Sequence, residues 1–203
     1  MTEPDRRAQI LEAADRLLRH YGAQKTTVSD VAREAGVGVG SVYLEFPSKD
    51  AIVEELSRSR HREVLDAMRA AAGAGRKLFG ERLGRAFDAR LDAFFALLDA
   101  GTHACDLVHC VSAAVKTAQV SFHHAELALV ADLLRRGAEA GELDAADPEA
   151  LAGTILRAYV SFSLPMIVGR DRAETRAALA AMHQLVLRGL LVRPPPPTRR
   201  RAG

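Results

Sequence analysis

Tryptophan is absent, aromatic residues make up 5% of the 203-residue chain, and the cysteines number two, Cys105 and Cys110. Two thiols make no disulfide framework, so a small stapled scaffold is excluded, and in a reducing compartment both are expected as free thiols. No apolar run reaches the roughly 20 residues that a bilayer-spanning helix needs; the longest are broken by Arg157 or by His183 and Gln184. The first residues, Met1-Thr2-Glu3-Pro4-Asp5-Arg6-Arg7, pass directly into an amphipathic segment without the apolar stretch of a secretory signal. The expectation is a cytoplasmic protein with no membrane partner. A strong charge of one sign is also missing. The formal net charge is +2, yet Arg193, Arg199, Arg200 and Arg201 lie in 193–203 with no acid beside them. Removing those four from the 28 basic residues leaves 24 against 26 acidic ones. Bulk charge therefore announces no polyanionic partner, and such a partner has to be read from a local motif.

What is present is a chain of 48% hydrophobic and 27% charged residues, long enough for one or two domains with a real core. Alanine and leucine dominate, and β-branched residues cluster only in short patches, so the intrinsic preference is helical. The fold class expected is all-α, and an all-β fold is excluded. Gly22, Gly36, Pro47-Ser48, Gly73 to Gly75, Gly101, Gly141, Asp147-Pro148 and Gly169 punctuate the helices. In about 5–21, Ile10, Leu11, Ala14, Leu17, Leu18 and Tyr21 form one stripe. A short helix follows near 28–35, with Thr27 as N-cap and Asp30 three residues on as an acidic capping box. Another runs from about Val39 to Phe46, and Ser48 caps a long bridging helix, 48–72. Further helices are expected at about 76–99, 102–114, 117–140, 148–168 and 172–192, with Pro165 kinking or shortening the fourth of these. The Pro/Arg tail 193–203 is expected to be disordered.

Thr27 to Val37 reads as short helix, tight turn, short helix, which are the parts of a helix-turn-helix. Gly36 can take the positive φ that reverses the chain, and Ala32 is small enough for a close crossing. The second helix of such a motif enters the major groove of DNA while its neighbours grip phosphates. Read alone, the same pattern also fits a helical bundle that binds nothing.

The ordered series Thr26-Thr27-Val28-Ser29-Asp30-Val31-Ala32-Arg33-Glu34-Ala35-Gly36-Val37, Gly40-Ser41-Val42-Tyr43 and Phe46-Pro47-Ser48-Lys49-Asp50 resembles the DNA-binding domain of TetR-family transcriptional regulators. The resemblance is close over residues 5 to about 55. It implies a three-helix DNA-binding domain at 1–47 and a larger helical effector-binding and dimerisation domain at 48–192. It further implies that Val39, Gly40, Ser41, Tyr43 and Leu44 face operator DNA, that Thr27 and Tyr43 approach the backbone, and that Lys49 approaches phosphate. Two positions depart from the family's habit: 39 is valine rather than polar or basic, and 45 is Glu45 rather than aromatic or histidine. An acid there repels phosphate unless it turns away or accepts from a cytosine amino group.

The apolar surplus of 150–160 and 179–191 suggests a subunit interface. The resemblance implies the same, a homodimer through helices 148–168 and 172–192, with Leu187 expected on the seam. Phe87, Leu91, Phe94, Phe95 and Leu98 form a helical stripe that reads first as ordinary core. As the resemblance implies, these residues with Val108, Val111, Phe122 and Met166 would instead line a cavity for a small apolar or amphipathic effector. His103, Cys105, Asp106, His109 and Cys110 diverge around a helix, poor geometry for one tetrahedral metal site. No metal and no cofactor is expected. The leading expectation is thus a repressor released from its operator by an effector, not an enzyme. A small helical enzyme using Cys105, His103 or His109, or a DNA binder without an effector, are the alternatives.

Overall fold

A computed structural model describes residues 5–74, 78–109 and 112–191. Among the described residues eight α-helices follow one another: α1 (Arg6–Tyr21), α2 (Val28–Glu34), α3 (Val39–Glu45), α4 (Lys49–Gly73), α5 (Phe79–Asp99), α6 (Ala113–Glu139), α7 (Pro148–Ala158) and α8 (Arg172–Leu190). Short 3-10 turns occupy Ala104–Leu107 and Tyr159–Phe162. Among the described residues, extended pairing is confined to the isolated bridge between Leu143 and Leu191.

Except at α3 and α5, the helix starts are set by side chains that accept orphan first-turn amides. Ser48 Oγ accepts from Ala51 N at 3.1 Å and starts α4, and Asp147 accepts from Ala150 N at 3.0 Å with Pro148 in the first position of α7. Each such cap is worth about 1 kcal/mol. At Gly36 the backbone takes φ 68°, so the chain reverses between α2 and α3 where a side chain would be strained.

Two of the expected helices differ. Within the segment expected as a helix over 102–114, Ala104–Leu107 form a 3-10 turn, the His103 N–H donating to Arg19 O at the end of α1 (3.0 Å), and Ser112 caps a fresh start at α6. The segment over 148–168 is helical only to Ala158, after which the 3-10 turn carries Tyr159 flat against Phe87, ring centroids 3.9 Å apart. Pro165, with no N–H to donate, lies in the turn beyond. The tail 193–203, Cys110 and Val111 lie outside the described residues.

There are two cores. The smaller joins Ile10, Ala14 and Leu18 of α1, Val31 and Ala32 of α2, Val42 of α3 with Phe46, and Ile52, Val53 and Leu56 of α4. Leu107, Ala114 and Val115 complete it from beyond α5. The larger runs from Val64 and Met68 of α4 through α5 and α6 to Ile155 of α7 and Leu179 of α8. Helix α4, about 37 Å long at 1.5 Å per residue, contributes to both. Asp15, almost buried, ties it to α1 by receiving Arg60 at 2.7 Å and Arg19 at 2.9 Å.

Candidate nucleic-acid interface

Helix α3 is held by one face and bare on the other. Val42, and Phe46 just past its end, are buried in the small core, whereas Val39, Tyr43 and Leu44 are 41%, 53% and 81% exposed. Gly38 caps the helix without a side-chain bond and Gly40 has open space where a Cβ would stand, so the first turn presents backbone and little else. Ser41 is half-buried at the rim. An apolar side chain four-fifths exposed is unfavourable in water, and two hydroxyls beside bare backbone are the groups that meet phosphate and base edges.

The other end of α3 is fixed by a residue that the sequence did not single out. Arg7 of α1 lies over the Phe46 ring at 4.1 Å and donates to the Glu45 carbonyl at 2.9 Å, with Glu55 3.5 Å away. A cation at a helix C-terminus is electrostatically favourable, and here it also sets the angle at which α3 stands. The contact spans 38 residues of sequence, so no local pattern signals it. The Glu45 side chain stands at this same end, half-buried.

Thr27 forms the expected capping box. Its hydroxyl accepts from Asp30 N at 3.1 Å while the Asp30 carboxylate accepts from Thr27 N at 3.0 Å. The hydroxyl and amide of Thr27, and then Arg33, hold the Asp30 carboxyl below its ordinary range. Lys49 is placed differently from a free phosphate-seeking side chain. Its ammonium donates to Ala23 O at 2.7 Å and Thr26 O at 3.1 Å, clipping the α1–α2 loop to the start of α4. Of the three ammonium donors, one is left over.

A helix-turn-helix whose second helix is anchored by two apolar residues and otherwise bare has clear relatives. The family described as "Bacterial regulatory proteins, tetR family" matches residues 10–56. The chain is 33% identical over 155 residues to the HTH-type transcriptional regulator TtgR of Pseudomonas putida, covering 68% of this chain and 70% of that one. The chain belongs to the TetR family. It is also 38% identical over 69 residues to the HTH-type transcriptional repressor KstR2 of Mycobacterium tuberculosis, covering 30% of this chain and 34% of that one. Among solved structures, a SmeT–triclosan complex shares the fold, with a TM-score of 0.69 at 16% identity over 92% of each chain. The protein is therefore a helix-turn-helix, DNA-binding transcriptional regulator, all-helical, with a small N-terminal domain and a larger second one. No helix among the described residues is long and apolar enough to cross a membrane.

In the second domain of this TetR-family regulator, Phe87, Leu91, Phe94, Phe95 and Val108 are buried in the large core, and Leu98 packs against it half-buried. Met166 is exposed in the turn after α7. Phe122 borders an open cleft of about 360 Å³ between α4 and α6. The structure thus brings most of the expected effector residues together as packed core. Leu187, expected on a subunit seam, leans on α5, where its Cδ2 would lie 2.9 Å from a Cβ added at Gly80; it is Leu185 that stands exposed.

The thiol and imidazoles of 103–109 form no nucleophile–base pair. His103 Nδ1 bonds Asp106 at 2.9 Å, and burial, with the Asp106 charge added, pushes the Cys105 thiol up, against what a nucleophile needs. Among the described residues no three His, Cys, Asp or Glu side chains are grouped so as to hold a metal.

Proposed function

We propose that this regulator acts in the cytoplasm as a homodimeric repressor whose two α3 helices read the half-sites of an operator, and that it is not an enzyme. Residues 1–47 serve as the reading head and 48–192 as the effector-binding and dimerisation unit, with α4 bridging them. The observation that carries the reading is the split character of α3: Val42 and the adjoining Phe46 are sealed in the head, while Val39, Gly40, Ser41, Tyr43 and Leu44 are offered outward. Val39 and Leu44 suit thymine methyl groups, and Ser41, Tyr43 and Thr27 suit phosphate or base edges. The remaining Lys49 donor adds a phosphate contact.

For the dimer, the support is apolar surface without an internal partner along the C-terminal third: Val160, Val168 and Leu185 are all exposed. A two-fold axis repeats every such contact. For an effector, the support is the head's own construction. Its core is closed by Leu107, Ala114 and Val115 from the second unit, so any ligand that shifts α4 against α6 changes how the heads are held. KstR2 is described as a repressor and SmeT has been solved with triclosan, which is consistent with a repressor relieved by a small molecule.

Selection of bound DNA from a random pool tests the reading. The wild-type chain is expected to enrich a two-fold symmetric sequence with half-sites about one helical turn or more apart. Leu185→Glu, which places a charge on the seam of each subunit, is expected to enrich single half-sites weakly. Enrichment of no sequence, or of an asymmetric one by the wild type, would overturn it.

A further inference from the structure

The cleft between α4 and α6 is built of two parallel strips. Its floor is His61 and Leu65 of α4 against Phe122 of α6, and its lip carries Arg58, Arg62 and Arg69 with Asp66 as the one acid. His61 is 4% exposed, and its ring lies on Phe122 with centroids 4.8 Å apart. Its Nδ1 faces the Ser57 carbonyl at 2.8 Å. A carbonyl only accepts, so Nδ1 carries the proton and Nε2 of the neutral ring is an acceptor. Burial holds the imidazole's pKa down, which keeps it in that neutral form. No described residue donates to Nε2, and although the residue as a whole is almost enclosed, this atom keeps contact with solvent at the cleft. An acceptor on the wall of the cleft with no protein donor is available to a hydroxyl on a bound molecule.

The lip has the complementary character. Arg58 is engaged by Glu54 at 2.6 Å and Arg69 by Asp66 at 3.2 Å, while Arg62 between them has no acidic partner among the described residues. A free guanidinium at the mouth of an apolar cleft is suited to a carboxylate, which it can hold with two parallel bonds. The volume of about 360 Å³ falls at the small end of the range for ligand pockets, ~300–1,000 Å³.

We propose that this cleft binds a small aromatic carboxylate bearing a hydroxyl group: the carboxylate on Arg62, the ring between Leu65 and Phe122, and the hydroxyl donating to His61 Nε2. This rests on the effector-responsive reading given above and names the class of ligand and its site. The position gives the ligand leverage. Leu56, one turn before His61 on α4, and Val115, two turns before Phe122 on α6, both belong to the head's core. A molecule wedged between the two helices therefore acts on both attachments of the head at once.

The test is calorimetric titration of the full-length protein with 4-hydroxycinnamate and 6-hydroxy-2-naphthoate, each beside its methyl ester and its methyl ether. At least one free acid is expected to bind. The ester, which removes the charge, and the ether, which removes the donor, should each lose about tenfold or more. Arg62→Ala should abolish the preference for acid over ester, and His61→Phe, which keeps an aromatic ring against Phe122, should abolish the preference for hydroxyl over ether. The ligand pairs probe the wild-type chain alone, so an unstable variant does not block the test. Binding of neither acid, or binding indifferent to both ester and ether, overturns the proposal. Operator affinity, measured separately with and without the bound acid, tests the effector reading: binding at the cleft with no change at the operator sinks that reading and leaves the site standing.

Discussion

The head and the second domain are both helical, but their interiors are made differently. The small core that seats α3 is apolar side chain on apolar side chain, from Ile10 to Val115, its buried charge Asp15 lying at the α1–α4 join with Arg60 and Arg19. The large domain buries charge. Arg90 of α5 and Glu126 of α6 pair with almost no exposure, beneath the face of Phe94. Nearby, Tyr159 donates to His183 Nδ1 at 2.7 Å, and His183 Nε2 donates to Asp88 at 3.0 Å. Burial, and then the Asp88 charge, push the Tyr159 phenol up, so it remains a donor. Close packing of Val42 and Phe46 in the apolar core seats α3, and Arg7 on the Glu45 carbonyl fixes its far end. A buried polar pair fixes which helix faces which at a cost in desolvation, and it breaks more sharply when one member is lost.

The largest effect should come from that asymmetry. Arg90→Ala leaves the Glu126 carboxylate enclosed without its partner and should destabilise the second domain by about 3–5 kcal/mol. The double replacement Arg90→Met with Glu126→Leu should recover most of the loss, because the desolvation penalty disappears with the charge. Urea unfolding followed by circular dichroism reads both; a double variant as unstable as the single one would show that the pair, and not the orphaned charge, holds the domain.

Lys49→Ala comes next. With the ammonium removed, the half-buried carbonyls of Ala23 and Thr26 lose their donor, and the head should lose about 1–3 kcal/mol. The remaining donor predicts a second, separable readout: the slope of DNA affinity against salt should fall by roughly one phosphate's worth. A lower melting temperature with an unchanged slope would make the lysine a clip alone.

The smallest effect concerns His61. Its folded pKa lies below the usual 6.5 because burial disfavours the charged ring. As the pH falls through 6.5 the unfolded chain takes up a proton that the folded one refuses, so stability falls with acidification until the folded pKa is passed. His61→Phe should flatten that part of the stability–pH curve below 6.5. Equal curves for the two proteins would mean that the ring titrates normally when folded.

Much of this was legible in the chain itself. The punctuation by Gly22, Gly36, Ser48 and Asp147 marks helix ends that the structure keeps, because caps and turns are local chemistry. The α1 contribution to the small core, Ile10, Ala14 and Leu18, follows from helical periodicity, whereas Leu107, Ala114 and Val115 reach it from a distant segment. The segment around Ala104–Leu107 misled because its composition is helical while its conformation is set by the Arg19 carbonyl, some 80 residues earlier. Arg7 on Glu45, and Arg90 on Glu126, are pairs between distant elements and leave no local trace. The Arg58, Arg62, Asp66, Arg69 strip on α4 does have helical spacing, but a charged stripe reads as a solvated face until a cleft is seen beside it.

The central claim is that the outer face of α3 exists to read DNA and contributes nothing to holding the head together. The most direct measurement is Leu44→Glu, assayed in one preparation for thermal unfolding and for affinity to the selected operator. Leu44 is 81% exposed, so unfolding should move by no more than about 0.5 kcal/mol. A new carboxylate against the phosphates should cost about a hundredfold or more in operator affinity. Operator affinity equal to wild type, with the fold intact, would contradict the account.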